Sequence, residues 1–186
     1  MQLFPPLQFG WLNGWLLFAL HIAVQGLALL LSPRPVVARL FDRSGWSVKQ
    51  RSFTILGKVF SLVCILLIIL TPLKSGSPVF IAGLAVFALG LVGLVIAMIN
   101  FKDTPPDKPV TRGLYKISRH PQIAALTVIF LGISLAVGSW AVLITLLLSR
   151  LFQHFGILAE EEVCLLRYGE PYREYLQRTP RYFVFF

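Results

Sequence analysis

Three groups of residues in this chain could do chemistry. The first is the basic stretch Arg112-Gly113-Leu114-Tyr115-Lys116-Ile117-Ser118-Arg119-His120-Pro121-Gln122, which runs straight into an apolar segment. Pro121 suits the first turn of a helix, where its missing N–H would have had no partner anyway. A helix start presents free N–H groups and a partial positive charge, so Arg119 and His120 beside it suit a carboxylate or a phosphate. Lys116 alone reads as a basic anchor at a membrane surface. The second group is Arg150, His154 and Glu161, spaced by four and seven residues. At about 100° per residue they share one helix face, with Gln153 beside them. The third is Glu160-Glu161-Glu162. Carboxylates are unfavourable at a helix C-terminus, so the helix runs on to about Tyr168, the carboxylates hold something cationic, or both.

These residues sit in an apolar chain. Of its 186 residues 56% are hydrophobic and 13% charged, with a mean hydropathy of +0.77. Soluble domains carry about 25% charged residues, so this composition excludes an ordinary soluble enzyme and predicts an all-α membrane helix bundle. The net charge of +9 fits cytoplasmic loops facing anionic headgroups rather than nucleic acid. Cys64 and Cys164 lie in different segments without a CxxC or metal-like spacing, so neither a disulfide nor a metal site is expected. No Lys or Arg precedes Arg34, so the apolar start lacks the basic opening of a cleavable signal peptide.

A bilayer crossing takes about 20 apolar residues. Runs of that kind cover about 9–31, 52–71 and 79–100. A fourth, 123–158, is too long for one span and turns at Gly138-Ser139, which makes a hairpin and five spans in all. The loops after spans one and three carry Arg34, Arg39, Arg43, Lys49 and Arg51, then Lys102, Lys108, Arg112, Lys116 and Arg119; the C-terminal segment carries Arg167, Arg173, Arg178 and Arg181, and the opposite side only Lys74. This asymmetry predicts an outside N-terminus and a cytoplasmic C-terminus. Lys58 lies within span two near its cytoplasmic end, where it can snorkel. Arg150 falls about 11 residues into span five, and an ionisable residue at that depth is a functional candidate that faces the bundle interior; the alternative is a satisfied contact that only holds helices together. Gly169 and Pro171 break the last span and start a short interfacial helix carrying Tyr172, Tyr175 and Leu176. Gly83, Gly90 and Gly93 read as helix-packing positions, and so do His21 and Gln25 in span one.

A basic His-Pro turn and a triple glutamate together ask for a ligand with both charges. S-adenosylmethionine carries a carboxylate, an ammonium, a sulfonium and a ribose, and charge complementarity permits it. The segment Pro109-Val110-Thr111-Arg112-Gly113-Leu114-Tyr115-Lys116-Ile117-Ser118-Arg119-His120-Pro121 also resembles the signature of the isoprenylcysteine carboxyl methyltransferase and phospholipid methyltransferase superfamily. Glu161-Glu162, Leu165, Tyr168-Gly169, Tyr172, Tyr175 and Pro180-Arg181 are similar to its C-terminal signature. The likeness covers about residues 105–182, while spans one to three match only in hydropathy. Together with the apolar runs it gives one integrated domain, with residues 1–104 as three N-terminal spans and 105–186 as the methyltransferase-like catalytic region. It implies an integral membrane enzyme that methylates a lipophilic acceptor, a carboxylate, phenol or amine, drawn from the bilayer. It implies that the Arg119-His120-Pro121 segment and the acidic pair Glu161-Glu162 help form the cofactor pocket; the full candidate cofactor set is Tyr115, Arg119, His120, Pro121, Gln122, Glu160, Glu161, Glu162 and Tyr172. The catalytic set is the embedded helix face, Arg150, His154 and Glu161, with His154 or a glutamate as base where the acceptor must lose a proton. The family usually has Tyr two residues after the Pro and Gly soon after; here Ile123 and Ala124-Ala125 alter that wall. The competing readings are a membrane reductase similar to sterol reductases, with Arg178 and Arg181 on the 2′-phosphate of NADPH, and a small membrane protein without catalysis.

The loop asymmetry has a direct test. Reporter fusions at Lys74 and at Phe186 are expected on opposite sides of the membrane; the same side for both would contradict five spans.

Overall fold

The computed structural model describes residues 1–182. Its elements are α1 (Trp15–Leu30), α2 (Arg34–Leu40), α3 (Val48–Leu70), α4 (Pro78–Lys102), a 3-10 turn (Gly113–Lys116), α5 (Pro121–Val137), α6 (Trp140–Tyr168) and α7 (Glu170–Arg178). The described residues are all-helical, with isolated backbone bridges such as Gln2 with Ser139 and Asn13 with Pro72. α3, α4 and α6 are long and apolar enough to cross a membrane, and α1 and α5 are shorter apolar helices. Their outer faces carry large exposed side chains, with Leu62 58%, Leu89 69%, Leu147 56% and Leu151 61% exposed. Patches of that kind belong against lipid.

Local chemistry sets the helix ends. Ser47 and Gln50 form a reciprocal capping box at the start of α3, and the Ser77 hydroxyl accepts from the Phe80 N–H before Pro78 opens α4. The Gly138-Ser139 turn falls where the sequence places it. Gly138 takes a left-handed conformation (φ 65°) to close α5, and the Ser139 hydroxyl accepts from the Val142 N–H to open α6. α6 runs through all three glutamates to Tyr168, where Gly169 (φ 62°) ends it. Its apolar part, residues 140–158, is about 28 Å long at 1.5 Å per residue, close to a hydrocarbon core of about 30 Å. Residues 159–168 therefore project beyond the span.

One helix start and one added helix differ from the sequence reading. α1 starts at Trp15 rather than near Phe9, because Asn13 donates its amide to the carbonyls of Gln8 (2.6 Å) and Ile69 (3.0 Å). The Gly14 N–H is held by the Thr71 carbonyl. Those long-range bonds keep the preceding residues out of the helix. α2, seven residues with Pro35 in its first turn, stands where a simple loop was expected.

α4 packs along α5, and α3 along α6. Their shared core holds Cys64 and Ile68 from α3, Phe87 and Leu94 from α4, Ile129 and Ile133 from α5, and Val142 and Leu146 from α6. The α4–α5 pair meets backbone to backbone. A Cβ on Gly83 would lie 2.6 Å from the Ala136 nitrogen, one on Gly90 2.7 Å from the Ile129 nitrogen, and one on Gly132 would collide with the Phe87 backbone. The packing role read for Gly83 and Gly90 thus holds. Gly93 meets Ala125 at an ordinary 3.6 Å.

Connections sort to two ends. The Gln2 N–H donates to the Gly138 carbonyl, the Trp140 N–H to Gln2, the Leu73 N–H to Leu12 and the Lys74 N–H to Ala136. Residues 1–13, the α3–α4 connection and the α5–α6 turn thereby share one end. At the other, Arg39 donates to the carbonyls of Pro105 and Lys108, and Arg167 pairs with Asp42 at 2.5 Å. The basic segments meet there.

The close α4–α5 contact predicts a contrast. Gly132→Ala should lower stability by about 1–3 kcal/mol through overpacking. Gly26→Ala on α1, with open space around it, should be neutral or stabilising by about 0.5–1 kcal/mol. Thermal unfolding in detergent checks both, and equal melting points would contradict the packing.

Candidate active site

The basic stretch is folded by its neighbours rather than by itself. Gly113 takes φ 56°, and its lack of a Cβ lets the Asn100 side chain close in and accept from the Leu114 N–H at 2.9 Å. The next residues form the 3-10 turn, whose Tyr115 carbonyl accepts from the Tyr175 hydroxyl at 2.7 Å. The Ser118 hydroxyl donates to the Arg181 carbonyl (2.8 Å), and the Arg119 N–H to the Pro180 carbonyl (2.9 Å). The segment after α7 is therefore laid alongside the turn. Pro121 then stands at the start of α5 as expected.

These backbone bonds bring three basic side chains to one carboxylate. Arg181 grips Glu161 with two guanidinium nitrogens, Nε at 3.0 Å from Oε1 and Nη2 at 2.7 Å from Oε2. His120 Nε2 lies 3.2 Å from Glu161 Oε1, and Arg119 Nε lies 3.4 Å from the same oxygen. Arg119, His120 and Glu161 are each 7% exposed. Burial alone would raise the carboxyl's pKa, yet hydrogen bonds from His120 and Arg181 and the nearby charges outweigh it and hold Glu161 at about 2. For the triple glutamate, α6 continues to Tyr168 as expected, and the cations that Glu161 meets are the protein's own rather than a ligand's.

A cavity of about 340 Å³ opens beside this cluster. Arg119, His120, Gln122, Glu160, Tyr115 and Tyr172 from the expected set line it. His120 Nδ1 lies 3.8 Å from Glu160 Oε2, whose side chain is 51% exposed. Two lining residues have buried atoms without a hydrogen-bond partner among the described residues, Arg119 Nε and Gln122 Nε2. The first is near enough to Glu161 for charge attraction but not aligned for a hydrogen bond. Burial pushes the Tyr115, Tyr172 and Tyr175 phenols well above their ordinary pKa, so this wall is neutral.

Other expected residues stand elsewhere. Glu162 points away from the cavity and accepts from Gln50 at 2.8 Å. Pro121 is buried at the helix start, off the lining. Arg150 donates to Gln153 Oε1 at 2.9 Å, and the Gln153 amide donates to Ser61 and Ser149 at 2.8 Å each. His154 Nδ1 meets the Tyr182 hydroxyl at 2.7 Å. The shared face of Arg150, His154 and Glu161 thus serves three separate partners, and Gln153 links the Arg150 network to the cavity it lines. The sequence reading missed Arg181 as the partner of Glu161. It also missed Arg39, which lines the cavity and lies over the rings of Phe101 and Tyr168. Arg181 was offered to a phosphate together with Arg178. In the structure Arg181 is engaged by Glu161, and Arg178 pairs with Glu174 on the surface. The Gly169 break, which folds α7 back along α6, was the available signal for Arg181.

Comparison with curated proteins and with solved structures finds no match. The chain does match the phospholipid methyltransferase family over residues 73–170. That stretch runs from the α3–α4 connection to the start of α7, more than half of the chain, and includes the Arg119-His120-Pro121 turn and the three glutamates. It leaves out α1 to α3 and Arg181. A membrane-type helical bundle with this match over most of its site-forming helices belongs to the phospholipid methyltransferase family.

Proposed function

We propose that the protein transfers a methyl group from S-adenosylmethionine to a lipophilic carboxylate, phenol or amine that enters from the bilayer. The observation that carries this reading is the cavity facing Arg119, His120 and Glu160 at the basic end of an apolar bundle. Its volume falls within the range of about 300–1,000 Å³ usual for small-molecule sites. The residues fit the cofactor by their chemistry: the orphaned Arg119 Nε and Gln122 Nε2 are donors without an acceptor, and Glu160 is a carboxylate exposed to the cavity. Arg119 and His120 would hold the carboxylate end, and Glu160 the ammonium or ribose hydroxyls. Bound there, S-adenosylmethionine supplies an electrophilic methyl group.

The chain's own part is positioning, which supplies most of what a displacement needs. The neutral Tyr115, Tyr172 and Tyr175 wall keeps water from the reacting atoms. A carboxylate acceptor needs no base. For a phenol or an ammonium the base is a glutamate or His154: Glu160 is the carboxylate that lines the cavity, while His154 is held by Tyr182 outside that lining. Arg150 acts through Gln153, orienting the amide that reaches the cavity. The same reading has α1 and α5 cross the membrane with the three longer helices, giving five spans, one integrated domain and a cytoplasmic basic end. The sorting of connections to two ends supports it.

Two expectations follow from this placement. Arg119→Ala and His120→Ala should each weaken S-adenosylhomocysteine binding about tenfold or more, the size of a charge-assisted contact. Glu160→Gln should weaken it too, while Glu162→Gln, turned toward Gln50, should not. Calorimetry on the detergent-purified variants decides; unchanged affinity in the Arg119, His120 and Glu160 variants would mean that the cavity does not hold the cofactor.

Glu161 gives a pH dependence. Its pKa falls from an ordinary 4.5 to about 2 on folding, so its stabilisation is present above about 4.5 and is lost as pH falls toward 2. Melting points of wild type should drop between pH 6 and pH 3. Glu161→Gln should be less stable at pH 6 and should lose less over that interval. Parallel curves would show that the carboxylate contributes nothing.

A further inference from the structure

The apolar bundle carries an exposed lysine inside its first apolar turns, near the basic end. α3 begins at Val48 behind its capping box, and Lys58 stands ten residues further on, about 15 Å along the axis. A cation at that depth needs a path to the headgroups or a negative partner. Lys58 lines the cavity, and so does Arg43. The other cations on this wall are engaged: Arg39 by two carbonyls and two rings, Arg167 by Asp42. Among the described residues neither Arg43 nor Lys58 pairs with a carboxylate.

Both belong to one corner. The Arg43 guanidinium lies over the Trp46 ring, 5.6 Å from its centre. The Trp46 ring edge and the Thr54 hydroxyl converge on Gly156, where a Cβ would come within 3.1 Å of the one and 2.9 Å of the other. Lys58 is one turn beyond Thr54 on the same face of α3. Outside it, Ile55 and Leu62 are 60% and 58% exposed, an apolar outer face of α3.

We infer that this corner seats a negatively charged headgroup, so that the acceptor is an anionic amphiphile whose carboxylate or phosphate rests against Arg43 and Lys58 while its chain lies along α3. The inference rests on the proposed function only in placing the acceptor in the same cavity as the methyl donor. A cationic headgroup would be repelled, and a neutral one would gain nothing from either charge. The specificity residues then come from α2–α3, outside the stretch that matches the family.

The test uses the whole protein in a neutral maltoside detergent, with Trp46 as reporter. Its signal is the difference in emission between wild type and Trp46→Phe. Laurate and dodecyl phosphate are titrated as probes, with dodecanol and dodecyltrimethylammonium as neutral and cationic controls. Saturable binding of one or both anions, weakened about tenfold by Lys58→Met and by Arg43→Gln, is expected; the tighter anion identifies carboxylate or phosphate. Equal binding of dodecanol or dodecyltrimethylammonium, no saturable binding of either anion, or unchanged affinity in both variants overturns the proposal. Calorimetry with S-adenosylhomocysteine runs beside it. A wild type that ignores that ligand yet binds an anion through Lys58 retires the methyl donor and keeps the anionic corner.

Discussion

The Glu161 carboxylate is the point on which the functional end is built. Arg119 and His120 reach it from the start of α5, and Arg181 from the segment after α7. One acidic side chain thus closes three separately folded pieces on each other. A buried ion pair is no large gain over a well-packed apolar contact, but removing one partner leaves charge buried without compensation, at about 3–5 kcal/mol. Here the loss of Glu161 would leave Arg119 and His120 buried and facing Arg181. The arrangement is therefore one of geometry more than of stability. It fixes which way the turn presents its free donors.

A second constraint comes from the bilayer. With no water in the hydrocarbon, a polar side chain inside the span gains by finding a protein partner. Ser61, Ser149 and Gln153 do so mutually, with the two hydroxyls 2.6 Å apart. That cluster joins α3 to α6 below the cavity and carries Arg150 with it. On the α4–α5 side glycine does the equivalent work by letting backbones touch. The two helix pairs are thus joined by different chemistry, polar in one and steric in the other, around a common apolar core.

Much of this was legible in the chain itself. Pro121 at a helix start and Gly138-Ser139 as a turn are local signals, and local signals survive tertiary folding. The run of α6 through three glutamates followed from the cost of acids at a helix end. The start of α1 was not legible, because it depends on Asn13 reaching Ile69, a bond between residues 56 positions apart. The division of labour among the three glutamates needed only rotation: at about 100° per residue, adjacent carboxylates point three ways. Glu160 meets the cavity, Glu161 the cations and Glu162 the α3 cap. The partner of Glu161 lay beyond a break in the helix, where periodicity gives no guidance.

The bridge between Gln2 and the α5–α6 turn bears on how the molecule is assembled. The Gln2 backbone occupies a slot between Gly138 and Trp140 that does not exist until the hairpin is made. Residues synthesised early must therefore wait for residues synthesised more than a hundred positions later. The segment before α1 carries Phe4, Phe9 and Trp11 largely exposed, and aromatic rings of that kind are at home in a membrane interface. The Gln2 bridge thus acts as a latch that closes only over a finished α5–α6 hairpin.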